Sequence, residues 1–261
     1  SQGYEVVHVD MARPEEALPG TFNQADLTNA GEVYDVFHRH RPDMVCHIAA
    51  NPDPNTFPSM QIYENNTMST LNVMLAAGDT GVTRFIYAGS EMATGWLTSP
   101  QHPPKFPFNE EDRVDSPNTY ALSKYSGEII ADSMNVRYPE MDFVTLRINN
   151  VILPGSGYDV LKYRRENFPR PGSENYWSYI DVRDVARAFA SALAGRSSGH
   201  EVFLIAAADT CIDVPIRKAF RERYGEEGNF DENHGDFDSV FDCSKIKEWF
   251  GWEAKYSWRN E

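Results

Sequence analysis

The sequence is poor in the features that mark membrane, secreted or nucleic-acid-binding proteins. No apolar run approaches the roughly 18 residues that a membrane-spanning helix requires. The three cysteines, Cys46, Cys211 and Cys243, have the spacing of neither a disulfide framework nor a zinc site, so we expect a reducing, cytoplasmic location and no metal. The formal net charge of −15 repels both phosphate backbones and anionic lipid. We therefore expect neither a nucleic-acid partner nor a membrane partner.

The sequence also lacks the glycine-rich loop of dinucleotide-binding proteins. Neither G-x-G-x-x-G nor G-x-x-G-x-x-G occurs in it, although strand and helix patterns alternate as in a dinucleotide-binding α/β fold. In such a fold the acid that binds the adenosine ribose follows the loop by about 20 residues. Asp10, which ends the strand pattern Tyr4–Asp10, is the candidate for that acid. We therefore expect the first strand, glycine loop and helix to be missing from this chain.

The patterns that are present predict a parallel sheet covered by helices on both faces. Hydrophobic residues make up 41% of the chain, which is enough for a sizeable core. The apolar periodicity predicts further strands at Met44–Ala50, Phe85–Ala88, Phe143–Ile148 and Glu201–Ala206, and helices at Ile62–Ala77, Thr119–Val136, Val182–Leu193, Val214–Tyr224 and Ser244–Phe250.

One candidate catalytic group combines a tyrosine, a lysine and a serine. Tyr120 and Lys124 are four residues apart, so their side chains share one face of a predicted helix. A tyrosine hydroxyl carries protons poorly near pH 7 unless a nearby cation lowers its pKa of about 10. Lys124 would supply that charge. Ser90 follows the strand pattern Phe85–Ala88, at the end of the strand where such sheets bind ligands.

The spacing of the tyrosine and the lysine is weak evidence by itself. The chain contains a second pair, Tyr158 and Lys162, with the same spacing. Context separates the two pairs, because Tyr120 lies in a strong helix pattern, whereas Tyr158 follows a glycine-containing loop and has no serine partner. The pattern alone still leaves open that Tyr120 and Lys124 form a plain surface pair.

Taken together, the motifs resemble the extended short-chain dehydrogenases, the NAD-dependent epimerase/dehydratase family. The resemblance runs from Tyr4 to about Trp258, and the motifs follow the order of the family. It implies a Rossmann-type doubly wound parallel sheet with a small C-terminal substrate lobe. The N-terminally incomplete core would span residues 1–150 and most of the lobe residues 151–261, with segments around 180–206 returning to the core. The matching motifs are Phe85-Ile-Tyr-Ala-Gly-Ser90, the Tyr120/Lys124 pair, Arg147-Ile-Asn-Asn-Val151, Tyr179-Ile-Asp-Val-Arg-Asp-Val-Ala186 and Cys243-Ser-Lys through Gly251-Trp252.

The resemblance also implies roles for single residues and NAD as the cofactor. Tyr120 would be the acid/base, Lys124 its pKa partner and a ribose ligand, and Ser90 the residue that orients the substrate hydroxyl. Asp10 would favour NAD over NADP, because a carboxylate repels a 2′-phosphate. The implied cofactor-binding residues are Asp10, Asp26, Leu27, Ala49, Ala50, Asn66, Tyr120 and Lys124.

Departures from the family pattern narrow the expected substrate. Ser90 is followed by Glu91-Met92 rather than by the Asp-Glu pair of the dehydratases, which makes dehydration of a nucleotide sugar improbable. Trp177 stands where nucleotide-sugar epimerases usually carry a diphosphate-binding arginine, and it is a candidate to stack on a sugar ring. Arg164 and Arg165 are candidates to hold a carboxylate or phosphate, with a solvated pair as the alternative. The predicted substrate-binding residues are Ser90, Asn150, Arg164, Arg165 and Trp177.

The sequence therefore favours an NAD-dependent oxidoreductase that transfers hydride at a carbinol or carbonyl of a free sugar or sugar acid. A nucleotide-sugar epimerase similar to UDP-glucose 4-epimerase would use the same residues. A non-catalytic dinucleotide-binding protein is a third possibility. The helices at Ile62–Ala77 and Thr119–Val136 resemble those that pair between subunits in this family, so we expect a homodimer.

Overall fold

The computed structural model describes residues 3–52 and 57–260 as an alternation of strands and helices. The strands are β1 (Val7–Asp10), β2 (Thr21–Gln24), β3 (Met44–His47), β4 (Arg84–Ser90), β5 (Asp142–Ile148), β6 (Val151–Ile152), β7 (Ile180–Asp181) and β8 (His200–Ile205). The helices are α1 (Ala30–His40), α2 (Ser59–Thr80), α3 (Thr119–Arg137), α4 (Ser156–Glu166), α5 (Val182–Ala194), α6 (Ile216–Tyr224) and α7 (Ser244–Phe250). Among these helices none has both the length and the apolar character needed to cross a membrane.

The centre of the fold is a four-stranded parallel sheet in the order β3-β4-β5-β8. Every residue of β4 is buried, because one apolar cluster covers each face of the sheet. One cluster joins Val73 of α2 and Ala131 of α3 to Phe85 and Phe143. The other cluster lies on the opposite face, against α5 and α7. The predicted α/β architecture with helices on both faces is confirmed.

Two further pairs of parallel strands lie outside the central four-stranded sheet. β1 and β2 pair with each other, and β6 pairs with β7. Within residues 3–52 and 57–260, no strand hydrogen-bonds to β3 on the side opposite β4. Cys46 in β3 is accordingly exposed, and Ile48 just beyond the strand is 61% exposed. One edge of the central sheet is thus open in the described part of the chain.

The second half of the chain contains a helix that the sequence patterns did not predict. No helix was predicted between Val151 and Val182, but Ser156–Glu166 is α4. Gly157 and the exposed polar positions of α4 weaken the apolar periodicity that marks a helix, and Leu161 is its one fully buried residue. β8 then returns to pair with β5 in the central sheet.

A buried ion pair fastens α3 to β5. The Nε and NH2 groups of Arg147 donate to the two carboxylate oxygens of Glu128, both at 2.9 Å. The NH1 group of Arg147 donates to the backbone oxygen of Glu110, also at 2.9 Å. Both side chains of the ion pair are about 5% exposed or less. Each charge is therefore stabilised by its partner rather than by water. This pair sets the position of α3 on the sheet.

Removal of the Glu128 carboxylate tests how strongly the fold depends on this pair. Glu128→Ala leaves the buried Arg147 guanidinium without its counter-charge, so we expect the free energy of unfolding to fall by about 3 to 5 kcal/mol. The matched control is Glu222→Ala, which breaks the exposed Lys218–Glu222 pair of α6 and should cost less than about 1 kcal/mol. Urea denaturation measures both variants. Equal losses would contradict the structural role of the buried pair.

Candidate active site

The structure brings Ser90 and Tyr120 together at the carboxyl end of β4. Ser90 is the last residue of β4, and Tyr120 is the second residue of α3. α3 begins here because the side chain of Asn118 accepts a hydrogen bond from the backbone of Ala121 at 3.0 Å. Both Ser90 and Tyr120 are buried, and the Ser90 side chain lies close enough to lower the pKa of Tyr120 in part. A serine and a tyrosine hydroxyl at this place can hold one substrate oxygen between them.

Lys124 lies one turn further along α3 and is fully enclosed. Its Nζ donates to the backbone oxygen of Ala88 at 2.9 Å and lies 5.9 Å from the centre of the Tyr120 ring. Burial lowers the pKa of Lys124 to about 8. Most molecules therefore keep a positive charge on this side chain at neutral pH.

The pKa of Tyr120 moves in the direction opposite to the sequence expectation. Burial raises it, the hydrogen bond with Ser90 lowers it in part, and the charge of Glu91 raises it further. Lys124 donates to Ala88 rather than to the phenol. In this arrangement the tyrosine hydroxyl is held in its protonated form, and desolvation is the main cause.

The second tyrosine and lysine pair has a different environment. The Tyr158 hydroxyl donates to the Asp181 carboxylate at 2.6 Å. Lys162 is exposed and lies 3.8 Å from Glu166. Asp181 also accepts from the backbone of Arg183 and caps α5, so Tyr158 is tied to a structural acid. Of the two pairs, the one at Tyr120 is the pair that faces a serine.

Five of the eight predicted cofactor residues lie at or just after the carboxyl ends of parallel strands, the edge at which open α/β sheets bind ligands. Asp10 ends β1 with an exposed side chain, and one of its oxygens accepts from the backbone of Ala12 at 2.9 Å. Asp26 and Leu27 follow β2, and Ala49 and Ala50 follow β3. An exposed carboxylate at Asp10 fits a ribose hydroxyl, so this edge of the fold fits a dinucleotide.

Asn66 connects this edge to α3. Its Oδ1 accepts from the backbone of Asn51 at 2.7 Å, and its Nδ2 donates to the Ser123 hydroxyl at 3.0 Å. Nδ2 also contacts the backbone oxygen of Asn51 at 3.2 Å. Asn66 is buried and thus holds the loop after β3 against the helix that carries Tyr120. A contact with the cofactor stays a prediction.

The predicted substrate residues are not all brought together. Asn150 and Arg164 form a pair, in which the NH2 group of Arg164 donates to Asn150 Oδ1 at 3.0 Å. Arg165 turns away from this pair and stacks on Trp258, with its guanidinium carbon 3.7 Å from the ring centre. Its Nε also lies 3.7 Å from an Asp213 carboxylate oxygen. Arg164 is therefore the arginine that borders the candidate site.

Trp177 lies in the apolar core of the second half of the chain. Its side chain is fully buried and packs against Phe168 and Tyr224. A ring with no exposed face cannot stack on a sugar in this arrangement. The large apolar ring instead joins a cluster of aromatic residues that packs α6 against the segment before β7.

Three further polar residues lie behind Ser90 and escaped the sequence interpretation as binding residues. Glu91, Asn149 and Asn175 are each at most 6% exposed. Asn175 Nδ2 lies 3.3 Å from Asn149 Oδ1 and 3.5 Å from Glu91 Oε1. The signal for Glu91 was an acid directly after Ser90, at the end of a buried strand. The two asparagines carried no comparable signal, because they come from distant segments of the chain.

Comparisons with known proteins agree with this arrangement. The model of the NAD dependent epimerase/dehydratase family matches residues 1–206. A UDP-glucose 4-epimerase of Drosophila melanogaster is 25% identical over 272 residues, which cover 90% of this chain and 75% of that protein. An NAD-dependent glucose-6-phosphate dehydrogenase of Haloferax volcanii is 26% identical over 147 residues, which cover 52% of this chain and 55% of that protein.

A solved structure shares the fold. The UDP-glucose 4-epimerase of Thermotoga maritima, determined with UDP-glucose, has a TM-score of 0.72 at 22% identity, and the match covers 98% of this chain and 87% of that one. The family match and the shared fold set aside the interpretation as a non-catalytic binding protein. The chain belongs to the NAD dependent epimerase/dehydratase family and is an NAD-dependent enzyme of the extended short-chain dehydrogenase type.

Proposed function

We propose that this enzyme oxidises a carbinol of a free sugar or sugar acid with NAD. The observation that carries the proposal is the Ser90–Tyr120–Lys124 group, in which two hydroxyls and a cation meet beside the carboxyl end of β4. A bound NAD supplies the hydride acceptor. Ser90 orients the substrate hydroxyl, and Tyr120 takes its proton once the phenol itself is ionised. The charge of Lys124 favours the ionised form of Tyr120 and contributes a donor for the ribose.

A substrate without a nucleotide is supported by the charge at the site. Trp177 is buried where the related epimerases usually carry a diphosphate-binding arginine, and diphosphate sites normally supply cations in fixed geometry. Arg164, which donates to Asn150, is the arginine that borders the proposed substrate site. One arginine suits a carboxylate or a single phosphate. The similarity to a glucose-6-phosphate dehydrogenase also supports a substrate without a nucleotide.

Nucleotide-sugar epimerisation is the second candidate. It is favoured by the similarity to UDP-glucose 4-epimerases in sequence and in fold. Epimerisation would use the same Ser90, Tyr120 and Lys124, but the hydride would return to the opposite face of the sugar. The two reactions differ in their products, because oxidation yields net NADH and epimerisation yields an isomer without it.

The experiment that separates the two candidates is a panel assay of the full-length gene product. D-glucose, D-galactose, D-glucuronate, D-galacturonate, D-glucose 6-phosphate and UDP-glucose are each incubated with NAD. NADH absorbance reports oxidation, and chromatography of the products reports epimerisation. NADH from a free sugar, sugar acid or sugar phosphate supports the proposal. Micromolar binding of UDP-glucose with isomer formation and no NADH would replace it by the epimerase.

We also propose that residues 1–150 bind the cofactor and that most of residues 151–261 form the substrate lobe, with segments around 180–206 in the core. The pairing of β8 with β5 supports the last part of this division. A cytoplasmic location is supported by Cys46, Cys211 and Cys243, which are all free thiols.

Replacement of the proposed acid/base tests the mechanism. Tyr120→Phe keeps the ring and removes the proton carrier, so we expect kcat to fall by about 10² to 10⁴-fold while the affinity for NAD stays within a few-fold. Lys124→Met should damage both quantities, because Lys124 has two roles. Tyr158→Phe is the control from the second pair and should keep its turnover. Steady-state kinetics and NADH fluorescence titration measure these effects, and an active Tyr120→Phe enzyme would refute the assignment.

The carboxylate of Asp10 is proposed to set the preference for NAD. Asp10→Ala removes a charge that repels the 2′-phosphate of NADP, so the ratio of kcat/KM with NADP to that with NAD should rise roughly tenfold, or ~1.4 kcal/mol. Asp35→Ala removes an exposed acid of α1 and should leave the ratio unchanged. A wild-type enzyme that prefers NADP would contradict the role of Asp10.

We propose that the protein is a homodimer formed by α2 and α3. Leu122, Ile129 and Val136 are spaced seven residues apart on α3, and each is between 44% and 83% exposed. Ile129→Glu should yield a monomer by light scattering at micromolar concentration, because a buried, unpaired charge opposes association. Val160→Glu, at an exposed apolar residue of α4, should keep the dimer. A monomeric wild-type protein would disprove this assembly.

A further inference from the structure

A buried amide connects three polar groups next to the catalytic serine. Asn175 Nδ2 lies 2.9 Å from the backbone oxygen of Ser178, 3.3 Å from Asn149 Oδ1 and 3.5 Å from Glu91 Oε1. Glu91, Asn149, Asn175 and Ser178 are all between 0% and 6% exposed. The chain has thus assembled a compact polar group in its interior, directly behind Ser90.

The orientations of the two amides are determined by their backbone partners. Asn175 must direct Nδ2 at the Ser178 carbonyl, since a carbonyl oxygen only accepts. Asn149 must direct Oδ1 at the backbone N–H of Asn150, which donates at 2.7 Å. Asn175 Oδ1 and Asn149 Nδ2 are therefore the atoms left over in each amide.

Four buried atoms of this group make no hydrogen bond to any residue in the described ranges 3–52 and 57–260. They are Glu91 Oε2, Asn149 Nδ2, Asn175 Oδ1 and Ser178 Oγ. A buried polar atom without a partner costs about 1 to 3 kcal/mol, and native proteins keep few of them. Four such atoms grouped next to Ser90 leave hydrogen-bonding capacity that a polar ligand reaching them would satisfy.

The left-over atoms include both donors and acceptors. Asn149 Nδ2 donates, Asn175 Oδ1 accepts, and the Ser178 hydroxyl does both. A carboxylate or phosphate only accepts and would leave Asn175 Oδ1 without a partner, whereas a sugar hydroxyl donates and accepts at once. We propose that Glu91, Asn149, Asn175 and Ser178 form a subsite that recognises the ring hydroxyls next to the reacting carbon of the carbohydrate.

The location agrees with that role, which rests on the proposed function. Glu91 follows Ser90 in sequence, and its charge acts on Tyr120. Asn149 directly precedes Asn150, the partner of Arg164. The subsite therefore borders the proton-transfer centre on one side and the arginine on the other, where the carbons next to the reacting one would lie.

The protonation of Glu91 makes the subsite sensitive to pH. Burial raises the pKa of Glu91 to about 8, although Asn175, the charge of Arg164 and the backbone of Asn150 lower it in part. Tyr120 is the other titratable group that faces it. Glu91 is thus protonated at neutral pH and donates a hydrogen bond. As the pH rises through about 8, it loses this donor and the affinity for the hydroxyls falls.

The same shift has a consequence for stability. The pKa of Glu91 is higher in the folded protein than its ordinary value of 4.5, so its contribution becomes less favourable as the pH rises from that value to about 8. Glu91→Gln cannot ionise. The variant should therefore melt at a higher temperature than the wild type at pH 8, and the difference should shrink towards pH 4.5.

The test compares the wild type with Asn175→Ala, Asn149→Ala and Glu91→Gln in the presence of NAD, using the six probes named above. We expect KM, or Kd where there is no turnover, to rise at least about tenfold in the two alanine variants, with kcat within about threefold. Near pH 6, Glu91→Gln, which keeps a donor at this position, should raise KM by less than either alanine variant does. It should also keep its affinity at pH 9, where the wild type weakens. Two alanine variants are used so that one of them can fail to fold without loss of the test.

The matched control is Glu110→Gln. Glu110 is a second, partly buried acid with a raised pKa, caused mainly by desolvation, but it accepts from the backbone of Leu204 and not from the subsite. This variant should leave KM and its pH profile unchanged. Any effect of Glu91→Gln beyond that of Glu110→Gln therefore comes from the subsite and not from the loss of a buried acid.

The outcomes separate this inference from the proposed function. The subsite would be overturned if the alanine variants had a KM or Kd within twofold of the wild-type value for every probe that the wild type binds. It would also be overturned if they lost kcat while KM stayed unchanged. Failure of all six probes to bind would overturn it as well. Turnover of UDP-glucose alone would instead refute the free-sugar substrate, and the KM of UDP-glucose in the same variants would then test the subsite.

Discussion

The buried ion pair between Glu128 and Arg147 is the interaction on which the candidate site depends. Ser90 is carried by the sheet, whereas Tyr120 and Lys124 are carried by α3, so their distances follow from how that helix lies on the strands. Two charges that are about 95% enclosed can only be stable together. Any shift of α3 along β5 would separate them. The energetic penalty for such a shift is what holds the two hydroxyls of the site in register.

Burial then gives the site its protonation states. It raises the pKa of Tyr120 and lowers that of Lys124 to about 8. It also raises the pKa of Glu91 to about 8. All three groups are pushed towards their neutral forms, since a low-dielectric interior disfavours charge of either sign. Lys124 and Glu91 can therefore exchange protons near neutral pH, whereas Tyr120 does so only where a nearby positive charge offsets its burial.

Some polar side chains around this centre have all their hydrogen bonds made within the protein, whereas others have atoms left to bind a ligand. The side chain of Asn66 is hydrogen-bonded to Asn51 and Ser123. That of Asp181 is hydrogen-bonded to Tyr158 and to the first turn of α5. Such residues position their neighbours. The subsite behind Ser90 differs, because the atoms of its amides that face away from the backbone have no partner in the described chain. The contrast between satisfied and unsatisfied polar groups is how the structure distinguishes support from binding.

The sequence by itself determined the features that depend on residues close together along the chain. Helical and strand periodicity predicted α3 and the buried strands within a few residues, and the four-residue spacing placed Tyr120 and Lys124 on one face. It missed α4, whose apolar face amounts to little more than Leu161. Only the tertiary structure decided which arginine borders the site, why Trp177 is enclosed, and which way the pKa of Tyr120 moves. Glu91 and Asn175 meet although 84 residues separate them. Desolvation and convergence of this kind arise from packing between distant segments, whereas a local pattern records only the residues within a turn of each other.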